Sequence, residues 1–118
     1  MFAVLFEVQP RASQWQGYLD YAKLLRPELE KIDGFISIER FESLVTPGKL
    51  LSLSFWRDEE AVRAWRNRAE HRAVQTQGRA GVFSDYRLRV AAVIRDYGLH
   101  ERDQAPSDSR ALHDPHKR

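Results

Sequence analysis

Apolar residues recur at every second position at the start of the chain. Phe2, Val4, Phe6 and Val8 alternate with Ala3, Leu5 and Glu7, the period of a strand with one fully apolar face and one largely apolar face. Pro10 ends it. The period then lengthens: Trp15, Tyr18, Leu19, Ala22, Leu25, Leu29 and Ile32 fall on one side at helical spacing, which predicts a helix from a Ser13 cap to about Lys31. Pro27 lies inside that stretch and predicts a kink near Arg26, because its ring removes a backbone donor and clashes with the preceding turn. Asp33-Gly34 supplies the stop.

Alternation resumes over Phe35 to about Leu44, with Ile36, Ile38 and Leu44 opposite Phe35, Ser37, Glu39 and Phe41. A turn through Thr46-Pro47-Gly48-Lys49 leads into a third strand, Leu50 to Trp56, with Leu51, Leu53 and Phe55 on one face and Ser52, Ser54 and Trp56 on the other. Asp58 can cap a second helix whose apolar stripe is Ala61, Val62 and Trp65, and Asn67 predicts a break before a second helical segment carrying His71, Val74, Gln75 and Gly78. The last strand runs from Asp85 to Tyr97, where Tyr86, Leu88, Val90, Ala92 and Ile94 alternate with Arg87, Arg89, Ala91, Val93 and Arg95. From Gly98 onward periodicity is lost, so residues 98–118 are expected to form a polar tail, disordered or loosely docked.

Strand, helix, strand, strand, helix, strand in one sheet is the split βαβ arrangement, an α+β ferredoxin-like βαββαβ sandwich with both helices on one face. The other face is then bare, yet several strands keep apolar residues on both sides, whereas a sheet with one wet face alternates cleanly. A two-fold partner stacking its own sheet there would bury that surface, so the pattern predicts a homodimer.

Composition narrows this further. The 118 residues are 42% hydrophobic, enough for one domain, here placed at residues 1–97, to bury a core without a staple. Cysteine is absent, which excludes disulfides, thiolate metal sites and cysteine nucleophiles, and a reducing cytoplasm fits best. The opening apolar run lacks a basic leader and is too short to cross a bilayer, so no membrane association is expected. Net charge is only +2 with arginines interleaved among acids, and the Arg63, Arg66, Arg68, Arg72 and Arg79 stretch also carries Glu59, Glu60 and Glu70, so it reads as a solvated helix face and no nucleic acid is required. His100, His113 and His116 in the tail match no metal spacing, and no metal is expected.

The run LLSLSFWRDEEAVRAWRNRAEHRAVQTQGR, together with PELEKIDGFISIERFES, resembles the antibiotic biosynthesis monooxygenase domain over about residues 2 to 97. Gly34-Phe35 opening strand two, the strand ending in Trp56, the acidic helix start, Trp65 and a histidine in the following segment carry the likeness. The resemblance implies a dimeric α/β barrel and a monooxygenase that uses no metal, flavin or other cofactor, oxidising an aromatic or quinol-like small molecule whose anion passes electrons directly to dioxygen. The protein's share is to desolvate and orient the ring, help remove a proton and stabilise the developing anion. It further implies Trp65 and His71 as catalytic residues, with Phe35, Trp56, Phe83 and Arg87 binding the substrate.

Each residue also has a plainer reading. Trp65 on an apolar stripe can be core, His71 can be a surface residue satisfied by Glu70 or water, and Arg87 and Arg89 can pair with acids such as Glu39 across the sheet. The basic helix and tail can instead dock an acidic partner, leaving the cavity vestigial, and two further functions stay open. One is a non-catalytic dimeric small-molecule-binding or stress-related protein. The other is a haem-binding or haem-degrading protein, disfavoured because Gln75 stands where that branch of the fold carries its iron ligand and Glu7 or a neighbour replaces its strand-one asparagine. The fold alone does not choose among them.

Overall fold

In the computed structural model, which describes residues 1–68, 81 and 83–113, alternation along the chain becomes one antiparallel sheet. Its strands are β1 (Phe2–Pro10), β2 (Phe35–Glu42), β3 (Leu50–Trp56) and β4 (Phe83–Ala92), in the order β2-β3-β1-β4. The helices are α1 (Trp15–Glu30), α2 (Glu59–Arg66) and α3 (Ser107–His113). This is the ferredoxin-like α+β arrangement expected above.

Register explains which face is buried. Val4 lies opposite Ser54 and Val90, Phe6 opposite Ser52 and Leu88, and Val8 opposite Leu50 and Tyr86, so the even positions of β1, β3 and β4 share one side of the sheet. Val4 and Trp56 from that side pack with Leu29, Ala61 and Val62, which puts α1 and α2 on the same face. Ala3, Leu5, Leu51, Leu53 and Phe55 occupy the other side, where Glu7 pairs with Lys49 at 3.2 Å and Arg89 at 2.6 Å. Those two cations hold the Glu7 carboxyl below the usual carboxylate range.

Several boundaries differ from expectation for local reasons. Ser13 does not cap α1: it sits inside a 3-10 turn, Ala12–Gln14, and Gln14 at the cap position makes no side-chain capping bond. The helix carries Pro27 inside it and continues to Glu30. In β2 the register shifts between Phe35 and Ser37, and the extra residue of this irregularity leaves Ile36 exposed while Phe35 pairs with Trp56 and joins the helix-side core. That strand stops at Glu42 because the Ser43 hydroxyl accepts the N–H groups of Val45 and Thr46, turning the chain before Leu44 can pair. By contrast Asp58 caps α2 as expected, its Oδ1 accepting the Ala61 N–H at 2.9 Å.

The β4 strand begins two residues earlier than expected and ends five earlier. Val93 N–H donates to Met1 O just past the strand's last residue, Ala92. Beyond it, the Arg102 guanidinium lies 5.4 Å from the centre of the Tyr97 ring, Asp96 N–H donates to Gln104 Oε1 at 2.8 Å, and Ala105 is buried. So the part of the tail described here carries its own contacts and a short helix. No helix among the described residues is long and apolar enough to cross a membrane.

Candidate functional site

A cavity of about 80 Å³ opens between α1 and the β1–β4 half of the sheet. Helical spacing puts Tyr18, Tyr21, Ala22 and Leu25 of α1 along one wall, and strand alternation puts Phe6 of β1 with Phe83, Tyr86 and Leu88 of β4 along another. Trp65 of α2 and Arg40 of β2 are the other described residues that line it. The aromatic walls brace one another: Phe83 meets Tyr18 edge-on at 5.6 Å between ring centres and Phe6 at 6.0 Å, while Tyr86 sits 5.8 Å from Phe6. Such offset ring pairs fix wall positions beyond what area burial alone achieves. Tyr86 and Leu88 remain 43% and 41% exposed, so the β4 wall keeps a solvent-facing side.

Trp65 is placed by a chain of contacts that begins at the bottom of the sheet. Trp56 is fully buried at the end of β3, its indole N–H donates to Ser54 Oγ at 2.9 Å, and Phe35 meets its ring edge-on at 5.2 Å. Trp65 stacks on Trp56 at 5.4 Å with planes 19° apart, so it touches the dry core on one side and the cavity on the other. Gly34 lets α2 approach: its φ is +94°, and a Cβ there would stand 2.8 Å from the Ala61 Cβ. Arg57 clamps the same corner, donating to both Asp33 oxygens at 3.1 and 3.0 Å and to Asp58 Oδ2 at 2.9 Å. This guanidinium holds both carboxyls below their usual range, with the Ala61 N–H helping at Asp58, and the two carboxylates raise the Arg57 pKa in turn.

Of the residues singled out from the sequence, Trp65 and Phe83 line the cavity, while Trp56 and Phe35 stand behind Trp65 as its support. Arg87 faces away: it is the register partner of Glu7, on the side of the sheet opposite the cavity. Arg89 on that side pairs with Glu7, and Glu39 is out of its reach because β2 and β4 form opposite edges of the sheet. His71 and Gln75 lie outside the described residues. Among the described residues no three His, Asp or Glu side chains come together as a metal-binding group.

Sequence reasoning missed Arg40, the one charged side chain among the described residues that line the cavity. Its Nε is buried and has no hydrogen-bond partner among them. A signal was present: Arg40 keeps the phase of buried Ile38, so an arginine occupies a core-facing strand position. Tyr18, Tyr21, Tyr86 and Leu88 were likewise read only as pattern-forming residues or not at all.

A four-stranded antiparallel sheet with two helices on one face, and an aromatic chamber between sheet and helix, defines a ferredoxin-like α+β domain. The model of the antibiotic biosynthesis monooxygenase family matches residues 1–77, and the chain belongs to that family. It is 56% identical over 101 residues to the jasmonate monooxygenase ABM of Pyricularia oryzae, an alignment covering 86% of this chain and 47% of that protein, so the chain spans about half the length of this relative. Solved structures from Deinococcus radiodurans (TM-score 0.75, 12% identity, 84% of this chain and 98% of that one) and Rv0793 of Mycobacterium tuberculosis (TM-score 0.72, 18% identity, 82% and 98%) share the fold.

Proposed function

We propose that the chain is a monooxygenase domain that binds a small ring-bearing metabolite in the cavity beside Trp65 and oxidises it with dioxygen, without a bound cofactor. The observation that carries this reading is the aromatic chamber itself, lined by Phe6, Tyr18, Trp65, Phe83 and Tyr86 in a chain of this family. A phenol or quinol supplies every electron the reaction needs. One ring C–H becomes a carbonyl, the phenolic O–H loses its hydrogen to give the second carbonyl, one oxygen atom enters the product and the other leaves as water. Trp65 and the facing rings exclude water and hold the ring plane, and His71 is assigned the proton acceptor's role.

Size sets a condition on this reading. An apolar cavity that admits benzene measures about 150 Å³, so the 80 Å³ space must widen as substrate enters. Half-exposed Tyr86 and Leu88 are the side chains with room to swing.

A second reading follows from the 56% identical relative, whose name assigns it jasmonate. Placing one oxygen atom in a saturated C–H bond consumes two electrons more than that bond gives, so this version needs an external reductant. Oxygen-electrode measurements on a panel of phenols, hydroquinones and jasmonate, each with and without reduced nicotinamide or flavin, separate the two. Uptake with phenols alone supports the first, and uptake with jasmonate only when reductant is present supports the second. Tight binding without any oxygen uptake removes both and leaves a non-catalytic binding protein.

The proposal includes a homodimer. The side of the sheet away from the helices carries Leu5, Leu51, Leu53 and Phe55 between the Glu7–Arg89 pair and the β2 edge, an apolar band that a second copy's equivalent band would cover. Sedimentation as a monomer at micromolar concentration would remove this part.

A further inference from the structure

We infer that Arg40 is an anchor for the carboxylate of the substrate, so that the cavity selects a singly charged, ring-bearing acid. This rests on the cavity being the substrate site. The register places Arg40, Ser52, Phe6 and Leu88 in one row across the helix side of the sheet. Three of these four, all but Ser52, line the cavity, and the small buried Ser52 leaves the space across which the long arginine reaches it.

The guanidinium there is left open at Nε among the described residues. Its Nε is buried without an acceptor, and Arg40 takes part in none of the ion pairs among the described residues. The acids on its own strand do not serve it: Glu39 alternates to the other side of the sheet and Glu42 is exposed. The remaining described lining is aromatic, aliphatic or phenolic, so no carboxylate among the described residues faces Arg40 across the cavity. A buried donor without an acceptor is costly, and an arginine fork matches a carboxylate with two parallel hydrogen bonds. The acceptor therefore arrives with the ligand. One cation among aromatic walls fits a single negative charge on an apolar body and does not fit a phosphate, which carries more charge and asks for more donors.

Calorimetric titration with jasmonate and with its methyl ester tests this, because the pair differs in charge and hardly in shape. The native chain should bind the acid at least tenfold more tightly than the ester. Arg40→Met should weaken the acid at least tenfold and leave the ester within threefold, and Arg40→Lys should recover part of the loss. Ligand-free Arg40→Met should melt at or above the native temperature, whereas a purely structural arginine would lower it. Equal binding of acid and ester, undiminished acid binding by Arg40→Met, a lowered melting temperature of that variant, or no binding of either ligand at millimolar concentration overturns the anchor. An Arg40-dependent preference for the acid in a chain that consumes no oxygen leaves the anchor standing and removes the oxidation; oxygen uptake with neutral phenols that ignores Arg40→Met, together with equal binding of acid and ester, does the reverse.

Discussion

The helix side of the sheet has two halves built from the same strands, and they do opposite things. Around Trp56, the residues Val4, Leu29, Ile38, Ala61 and Val62 close into a filled core. Around Val8, Tyr18 and Leu50, rings stand edge to edge and leave the cavity. In the first half one large side chain occupies the space and its only polar atom is satisfied by Ser54. In the second, the space is framed by aromatic edges and holds a buried guanidinium nitrogen with no acceptor among the described residues. A protein that needs a rigid wall and a vacancy in one small domain can obtain both by giving each to a different half, with Trp65 as the party wall between them.

The strongest way to break that division is Trp56→Ala. Loss of a buried indole and the hollow it leaves should cost about 3–5 kcal/mol in chemical denaturation, and it also removes the surface on which Trp65 stacks. If the two halves were interchangeable, truncating Phe83 in the cavity wall would cost as much; a clearly smaller loss is expected there, because Phe83 is only partly buried.

Gly34→Ala should come next. Its positive φ is poorly adopted by L side chains, and its Cβ would collide with Ala61 at 2.8 Å, so a loss of about 1–3 kcal/mol is expected. Because the collision pushes α2 outward, ligand affinity should fall together with stability. A variant that loses stability while binding ligand normally would show that the α2 corner does not set the position of Trp65.

Filling the hollow half should act in the opposite direction. Ala22 is buried in α1 and lines the cavity, so Ala22→Leu places apolar atoms in the vacancy. Stability should rise by about 0.5–1 kcal/mol, as in other cavity-filling changes, while ligand binding and turnover fall at least tenfold. Unchanged turnover in a stabilised Ala22→Leu variant would mark the cavity as a packing gap.

How far the sequence carried this picture also differs between the halves. The filled half was legible because its determinants are periodic: β1, the β3 alternation ending in Trp56, and the α2 stripe all lie where their spacing put them. What escaped was caused by single contacts that periodicity does not encode. Ser43 captured two backbone donors and stopped β2, and the bulge at Ile36 moved Phe35 onto the core face. The cavity was legible only in part. Trp65 and Phe83 stood out as aromatics, but a hollow is where side chains fail to meet, and Arg40 looked like an ordinary polar residue until its phase with Ile38 was joined to the absence of a partner. Arg87 was drawn toward the site by its charge, and its odd position in β4 places it on the other face.

The smallest expected effect concerns acid, and it separates the halves by charge. Asp58 is held below its usual range first by Arg57 and then by the Ala61 N–H it caps, and Asp33 is held down by the same guanidinium. A carboxyl whose folded pKa is depressed contributes stability that is complete above its unfolded pKa and is lost as pH falls through the folded value. The Gly34–α2 corner should therefore weaken once pH drops below the ordinary carboxylate range, and only modestly, because these side chains are largely exposed and screened by salt. Asp58→Asn keeps an oxygen that can cap α2 but removes the titrating charge. Urea midpoints measured from neutral pH down to pH 3 should show slightly lower stability at neutrality and a shallower acid slope for the variant, the two chains converging in acid. The described lining of the cavity contains no carboxylate, so ligand affinity, after allowing for the ligand's own titration, should lose its Arg57-dependent support only when this corner loosens. Parallel slopes for native and Asp58→Asn chains would show that the clamp contributes nothing that acid can remove.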